Sequence, residues 1–340
     1  MSLLSELGAT TPVVAAPMAG GPTTPDLVLA VGRVGALGFL AGGYLTAEAL
    51  GEQMALVSSA GHAYGVNLFA PHPVPVDPAA YARYRELIAP EAEHWSVDLP
   101  GQPIEDDDGW HDKVRLLVDG PAPVVSFTFG LPDPESLTAI RAAGSVVLQT
   151  VTSADEARRA AEAGVDGLVV QASAAGGHSG TFTPAQVPPE APLPDLVAEV
   201  RRAVGLPVLA AGGIAAAQQV GAALAAGSEG AVVGTALLLA DEAGTSAAHR
   251  SGLLDHDRET TVMRAFTGRP ARGLRNAFSD RYDDDAPVGY PALHHLTRPI
   301  RRAAAAAGDP EGVNLWAGTG FRDARPAPAA EILTDLSRGT

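Results

Sequence analysis

The chain has 340 residues, of which 46% are hydrophobic and 18% charged, as in a globular protein of one large elaborated domain or of two ordinary domains. Its formal net charge of −16 argues against nucleic acid or an anionic membrane as a partner, because the acidic surface repels both. The absence of cysteine excludes disulfides, thiolate metal sites and cysteine nucleophiles.

The sequence shows no signal for export and no membrane-spanning segment. The first residues lack a basic segment followed by an apolar core, and no uninterrupted apolar stretch reaches about 18 residues, so we expect a soluble, cytoplasmic protein. The acidic runs 105–108 and 283–285 are expected to be solvated loop faces. The single lysine, Lys113, follows the first run in an acidic, loop-like context.

Short apolar runs alternate with alanine-rich segments of helical period along most of the chain, which is typical of βα units and a parallel sheet. The predicted strands are residues 12–16, 36–41, 64–69, 123–127, 145–149, 167–171, 207–211 and 230–234. Predicted helices between them include residues 46–59, 133–143, 153–163, 194–204 and 215–226. Eight strands favour an α/β fold closed into a (β/α)8 TIM barrel; an open doubly wound sheet is the alternative that sequence alone leaves open.

One helix has recognisable signals at both ends. Ser153 and Glu156 have the spacing of a capping box, and Gly164 stands where a left-handed residue commonly ends a helix.

Two regions depart from the βα rhythm. Residues 71–120 form an enlarged connection after the third strand, with a helix at 78–88 and then an acidic loop. Residues 241–318 show no clear strands, and we predict helices near 260–267 and 292–307. We therefore expect three parts: a barrel (1–240), a helical cap inserted after the eighth strand (241–318), and a C-terminal segment (319–340) whose helix, residues 327–337, returns to the barrel.

The loops at the carboxyl ends of the strands build the active site in such barrels. The first strand is followed by Ala16, Pro17 and Met18 and then by two glycines, so that backbone can lie flat against a planar ligand.

Three side-chain amides stand at or near other strand ends. Asn67, Gln149 and Gln171 together suit the donor and acceptor edge of an isoalloxazine ring, although each alone is more often a satisfied structural amide.

Glycines follow the last two strands. Gly212 and Gly213 after the seventh strand, and the run Val232, Val233, Gly234, Thr235 in which the eighth strand ends, are typical of the phosphate site of β/α barrels, where backbone N–H groups and a helix N-terminus bind an anion.

His178 lies beyond the sixth strand, after the flexible run Ala174-Ala175-Gly176-Gly177. Its imidazole can accept a proton at neutral pH, which makes it the candidate catalytic or substrate-binding residue rather than a core histidine. The other histidines show no metal-ligand spacing, so we expect no metal; in the pair His294-His295, one ring could face the substrate cavity.

These motifs resemble those of the nitronate monooxygenases, formerly called 2-nitropropane dioxygenases. The resemblance spans nearly the whole chain. It is carried by residues 16–21, 65–69, 125–130, 171–180, 211–214 and 234–235, by the cap segment 293–297 and by the tail motif Asn314-Leu315-Trp316-Ala317-Gly318.

The resemblance implies a β/α barrel with a helical cap and noncovalent FMN. Contacts to FMN would come from Asn67, Gln171, Gly176, Gly213 and residues 232–235, with Met18 and Gln149 near the ring. By resemblance, His178 would take the α-proton of a neutral nitroalkane or hold an anionic nitronate. The small-molecule substrate and O2 would then give a carbonyl compound and nitrite.

Two residues depart from the family pattern. Many relatives have glutamate where this chain has Ala174, and the tail motif often continues with glutamine where this chain has Thr319. Both departures bear on substrate choice more than on fold.

Other functions compete with this interpretation. An FMN-dependent enoyl-thioester reductase, or a quinone reductase of the same barrel type, would reduce its flavin with NAD(P)H. An IMP-dehydrogenase-like barrel needs a cysteine nucleophile, which the chain lacks. A non-catalytic flavin-binding protein would not need His178 on a glycine loop. For the assembly, a monomer and a homodimer remain equal alternatives.

Overall fold

A computed structural model describes residues 2–338, and its centre is a closed barrel of eight parallel strands in the order β1-β2-β3-β4-β5-β6-β8-β9. The strands are β1 (Val13–Ala15), β2 (Leu37–Ala41), β3 (Tyr64–Phe69), β4 (Val124–Thr128), β5 (Val146–Val151), β6 (Gly167–Gln171), β7 (Gly177–His178), β8 (Val208–Ala211), β9 (Gly230–Val233), β10 (Thr260–Met263) and β11 (Ala271–Leu274). Strand β9 pairs with β1 and closes the barrel, which confirms the predicted TIM barrel over the open sheet.

Helices alternate with the barrel strands and continue into the regions around them. They are α1 (Leu3–Glu6), α2 (Pro25–Arg33), α3 (Ala47–Ser58), α4 (Pro78–Leu87), α5 (Ala89–His94), α6 (Trp110–Asp119), α7 (Pro134–Ala142), α8 (Ala154–Ala163), α9 (Leu193–Ala203), α10 (Ala217–Ala225), α11 (Ala247–Leu254), α12 (Ala277–Tyr282), α13 (Ala292–Ala307) and α14 (Ala329–Leu336). No helix within residues 2–338 is both long and apolar enough to cross a membrane.

The barrel wall buries side chains on both faces because the strands alternate their side chains. Inward residues such as Val14, Leu148 and Leu209 pack in one cluster, and α1 closes its lower end with Leu3 and Leu4. The outward residues of the same strands pack against the surrounding helices. This double burial explains why the strands are continuous apolar runs in the sequence.

The predicted caps of α8 are present, with one difference. The Ser153 hydroxyl accepts from the Glu156 N–H at 3.2 Å, and Gly164 ends the helix at φ 90°. The Glu156 carboxylate does not return to Ser153; it accepts instead from the N–H and hydroxyl of Thr152, at 2.6 and 2.8 Å. Both Thr152 groups bind Oε2, so the other carboxylate oxygen, Oε1, is left for donors beyond this helix.

The prediction of an all-helical segment between residues 241 and 318 was wrong at 260–267. Residues Thr260–Met263 form β10, which pairs antiparallel with β11, and β11 pairs with β7 to make a three-stranded sheet. The run of β-branched residues Thr260, Thr261 and Val262, followed by a Gly-Arg-Pro turn, favours a hairpin over a helix. The helix predicted at 292–307 is α13.

The enlarged connection 71–120 belongs partly to the barrel and partly to the cap. Tyr84 and Ile88, from α4 and its end, pack with Leu293, Leu296 and Ile300 of α13 in a cluster separate from the barrel core. The last helix, α14, packs with the barrel core. Residues 339–340 of the predicted C-terminal segment, and Met1 of the predicted barrel, lie outside the described residues.

The acidic runs 105–108 and 283–285 were expected to be solvated loop faces, but three of their carboxylates bind other parts of the protein. Asp106 pairs with His295 at 2.8 Å, and Asp108 pairs with Lys113, which lies buried on α6 rather than in a loop, at 2.7 Å. In the second run, Asp283 accepts from the Ala265 N–H at 2.8 Å. Asp106 and Asp283 thus join segments that are separate in sequence.

Candidate functional site

A cavity of about 760 Å³ opens at the carboxyl ends of the barrel strands and is covered by the cap. All but two of the sequence-predicted site residues line it. Those on its wall are Ala16, Pro17, Met18, Asn67, Gln171, Gly176, Gly177, His178, Gly212, Gly213, Val232, Gly234 and Thr235.

The two remaining residues, Gln149 and Val233, lie outside the cavity wall. Strand β5 runs on to Val151, so Gln149 is not its last residue; its buried amide donates to the carbonyl oxygens of Phe127 and Thr150. The next residue, Thr150, lines the cavity instead. Val233 points outward into the core beneath the helices, one position out of phase with Val232.

The two other amides have different environments. The Asn67 Nδ2 donates to the Ser126 carbonyl and hydroxyl and to the Thr128 hydroxyl, at 2.9–3.1 Å. This leaves the Asn67 Oδ1 facing the cavity without a partner in the described part of the chain. The Gln171 amide instead accepts from the Gly180 N–H at 2.7 Å and donates to the His178 carbonyl at 3.2 Å, so it holds the loop that carries His178.

The glycines after β6, β8 and β9 meet the tail motif in a crowded backbone cluster. A Cβ on Gly176 would fall 2.5 Å from the Gly318 nitrogen, so no other residue fits there. The Gly318 N–H donates to the Thr235 hydroxyl at 2.9 Å, and Gly213 adopts φ +72°. The N–H groups of Gly213 and Gly234 donate to no residue between 2 and 338. Free backbone donors beside a cavity suit an anion such as phosphate.

The two departures from the family pattern are neighbours. The Thr319 N–H donates to the Ala174 carbonyl at 3.0 Å, and a Cβ on Gly213 would lie 3.1 Å from both side chains. Neither residue is on the cavity wall. These residues therefore lie behind the Gly213 loop rather than beside His178.

His178 is held by a strand rather than by a free loop. Residues Gly177–His178 form β7, in which His178 pairs with Ala271 of β11. Its Nε2 lies 2.9 Å from the Thr267 hydroxyl, and its ring packs against the rings of Tyr290 and Trp316, with centroids 5.7 and 5.4 Å away. The cap thus fixes both the backbone and the ring of the candidate base.

The environment of His178 keeps the imidazole neutral. Burial, followed by the positive charges of Arg269 and Arg301, lowers the pKa of His178 to about 3. A neutral imidazole at physiological pH has a free lone pair for a proton.

Arg269 holds the segment that follows His178. Its guanidinium lies 4.0 Å over the ring of Phe129 and donates to the Ser179 carbonyl at 3.2 Å and to the Thr181 carbonyl. Burial lowers the pKa of Arg269 to about 10, so the group still carries its charge at neutral pH.

An aromatic wall of Tyr44, His294 and Tyr290 lies at the cavity, which Tyr44 and His294 line directly. Tyr44 has φ +67° and stacks on His294 with ring centroids 4.3 Å apart, and its hydroxyl meets that of Tyr290 at 3.3 Å. Burial raises the pKa of Tyr44 to about 12, so it remains protonated. Of the histidine pair, His294 faces the cavity and His295 points away to Asp106.

Sequence reasoning missed Thr267, Arg269, Tyr44 and Tyr290 as site residues. The first two lie in the turn between β10 and β11, which only a hairpin prediction would have brought to the barrel mouth. Within residues 2–338, no group of three or more histidines and carboxylates could hold a metal ion.

Comparison with known proteins matches this architecture to one family. A family model described as nitronate monooxygenase matches residues 1–339. A probable nitronate monooxygenase of Staphylococcus aureus (strain Newman) is 32% identical over 335 residues, covering 96% of this chain and 93% of the relative.

Solved structures show the same likeness. The nitroalkane oxidase of Streptomyces ansochromogenes superposes with a TM-score of 0.92 at 42% identity, covering 98% of this chain and 96% of the other. FabK from Thermotoga maritima is more distant, with a TM-score of 0.74 at 25% identity, covering 98% and 93%.

Proposed function

The chain belongs to the nitronate monooxygenase family of oxidoreductases, and on this premise we propose that it oxidises alkyl nitronates, such as propionate 3-nitronate, or nitroalkanes with O2 to a carbonyl compound and nitrite. We further propose FMN as its flavin, the cytoplasm as its location, and a monomer or homodimer as its working form.

The observation that carries this proposal is His178, a neutral imidazole fixed at the wall of a large cavity beside the barrel mouth. Its position follows from β7, and its ring orientation follows from Thr267, Tyr290 and Trp316. A side chain held this firmly is suited to take a proton from one defined carbon atom.

The residues around the cavity fit an FMN molecule. The unpaired N–H groups of Gly213 and Gly234 would hold its phosphate, and the free Oδ1 of Asn67 would accept from a ring N–H. Met18 offers an apolar contact for a flat ring. When bound, the flavin supplies the redox chemistry that the side chains of this protein lack.

The proton chemistry belongs to His178. When the α-carbon of a neutral nitroalkane loses its proton to the imidazole, a negative nitronate forms beside a positive ring. The opposite charges attract and raise the pKa of His178 during the step, although it is low in the free protein. With a substrate that is already a nitronate, His178 has only to hold and orient it.

Substrate oxidation and NADH oxidation tell the candidate functions apart. We expect the purified yellow protein to consume O2 and release nitrite when propionate 3-nitronate is added, and to react only slowly with NADH. Rapid bleaching of the flavin by NADH, with no nitrite from any nitro compound, would identify an NAD(P)H-dependent reductase instead. A colourless protein that FMN cannot reconstitute would contradict the flavin assignment.

A further inference from the structure

One face of α13 lines the cavity with positive charge. His294, Arg298, Arg301, Arg302 and Ala305 all contact the cavity, at the three- and four-residue spacing that puts side chains on one helix face. Arg302 is exposed, whereas Arg298 and Arg301 are partly buried, so the cations run from the surface inward.

Within residues 2–338 these arginines have no acidic partners. Arg298 and Arg302 form neither an ion pair nor a hydrogen bond with any residue of the described chain. Arg301 donates only to neutral acceptors: the Thr297 hydroxyl at 3.0 Å, the Asn314 amide oxygen at 3.2 Å, and the carbonyl and ring Nδ1 of His294 at 2.8 and 3.2 Å. By contrast, Arg258 and Arg325 each pair with two carboxylates.

The cavity wall contains no aspartate or glutamate in the described part of the chain, although the whole protein has a formal net charge of −16. Burial lowers the pKa of Arg301 to about 10, which still leaves its guanidinium charged at neutral pH. A charge enclosed by protein without a counter-ion is costly unless a ligand of opposite charge completes the site.

We propose that Arg298, Arg301 and Arg302 form an oxyanion-binding subsite that gives the cavity its preference for anionic over neutral substrates. The ligand chemistry is that of a small organic oxyanion, either the nitronate group itself or a carboxylate elsewhere on the substrate. A guanidinium binds two oxygens of such a group in one plane. The identity of the substrate rests on the proposed function, whereas anion binding by these arginines does not.

The exposed end of the arginine series also explains how an anion reaches an acidic protein. Arg302 and then Arg298 provide a local positive field at the mouth, against the repulsion of the surface as a whole. Exposed charges of this kind act through the association rate and are screened by salt. The entry of anionic substrates therefore depends on ionic strength more steeply than the entry of neutral ones.

The test compares holoenzyme variants on matched substrates. Arg298→Gln and Arg302→Gln remove charges that have no partner among residues 2–338, so folding is expected to survive; Arg301→Gln is the deeper variant. Arg202→Gln, an exposed arginine on α9, removes the same charge away from the cavity and serves as the control. The substrates are ethyl nitronate, propionate 3-nitronate and neutral nitroethane, and propionate is the non-reacting probe.

We expect the Arg298→Gln/Arg302→Gln pair to lower kcat/KM for anionic substrates about tenfold more than for nitroethane, a difference of about 1.4 kcal/mol. Calorimetry with propionate should show a matching loss of affinity, and Arg202→Gln should leave both ratios unchanged. A loss with both nitronates identifies the nitronate group as the bound anion. A loss with propionate 3-nitronate and propionate alone identifies the carboxylate.

Two results would overturn the subsite. One is an unchanged ratio of anionic to neutral substrates in the double variant and in Arg301→Gln. The other is release of FMN with unchanged propionate binding, which would assign the arginines to the cofactor phosphate. If the wild-type protein makes no nitrite but binds propionate through these arginines, the proposed function fails and the subsite stands.

Discussion

At the scale of single residues, His178 illustrates how burial sets the role of an imidazole. Its ring is surrounded by aromatic side chains, and two arginines lie near enough to oppose a second positive charge. Together these influences lower the pKa of His178 to about 3. Above that pH the ring is neutral, so acidification to pH 5 does not switch off the candidate base.

This environment predicts the effect of pH and of replacement. For the wild-type holoenzyme, kcat/KM with a neutral nitroalkane should stay flat from pH 7 down to pH 5, because kcat/KM reports the pKa of the free enzyme. His178→Asn should lower kcat/KM for that substrate by about 10²–10⁴, the usual contribution of a general base. FMN binding, measured by fluorescence titration, should change little.

The matched control is His111→Asn, since His111 is exposed on α6 and distant from the cavity wall. An acid limb centred near pH 6.5 in the wild-type protein would contradict the buried, neutral imidazole. Equal turnover of the neutral nitroalkane by His178→Asn would remove the base assignment.

At the scale of elements, Glu156 joins the barrel to the segment that follows His178. Besides Thr152, its buried carboxylate accepts from the Thr181 hydroxyl at 2.9 Å and from the Phe182 N–H at 2.7 Å. With Gln171 holding the His178 carbonyl and the Gly180 N–H, these two side chains fix the segment from His178 to Phe182. A charged acceptor with four donors is difficult to replace by a neutral group.

Glu156→Gln should therefore destabilise the protein by about 3 kcal/mol, because the amide NH2 faces donors that then lose their acceptor. Urea denaturation of the holoenzyme measures the loss. Glu162→Gln is the control, since Glu162 is exposed on the same helix, and it should change the free energy of unfolding by less than about 0.5 kcal/mol. Equal effects of the two substitutions would show that the buried hydrogen bonds contribute little.

The elements that the sequence predicted well are those whose local signal and tertiary role agree. Strands such as β6 and β8 are apolar on both faces, and α8 has signals at both ends, so each was recognisable without its neighbours. The hairpin of β10 and β11 was not, because its partner is the two-residue strand β7, which only the folded barrel positions.

The site residues, too, were predictable only where a local signal agrees with the tertiary role. Backbone features at strand ends, such as Gly213 and Gly234, were predictable from topology, and both line the cavity. Gln149 was placed there by assuming that β5 ended with it, but two further residues belong to that strand, and the alternation of side chains brings Thr150 to the cavity. Tyr44 reaches the cavity, and Arg269 reaches the segment after His178, through contacts between distant parts of the chain, which spacing in the sequence does not reveal.

At the scale of the whole molecule, acidic residues connect the cap, the enlarged connection and the barrel mouth. Asp106 reaches His295 on α13, and Asp108 accepts from the Tyr44 N–H at 2.9 Å while pairing with Lys113. The only lysine of the chain is thus buried behind the aromatic wall of the cavity, with 1% of its side chain exposed. Its charge balances a carboxylate that fixes the backbone of Tyr44.

Lys113→Met should cost about 3 kcal/mol of stability at pH 8, because breaking a buried pair leaves Asp108 without its counter-ion. Burial raises the pKa of Asp108, and the ammonium of Lys113 opposes that rise. Without Lys113, the pKa of Asp108 rises further, so the folded state binds this proton more tightly than the unfolded chain does. The stability lost is therefore smaller at pH 5 and grows as the pH rises through the folded pKa of Asp108.

Urea denaturation at pH 5 and pH 8 measures this difference in the Lys113→Met protein. Arg115→Met, which removes an exposed cation from the same helix, should show almost none, and adding Asp108→Asn to Lys113→Met should abolish most of the pH dependence. An equal loss at pH 5 and pH 8 would mean that Lys113 contributes packing rather than charge.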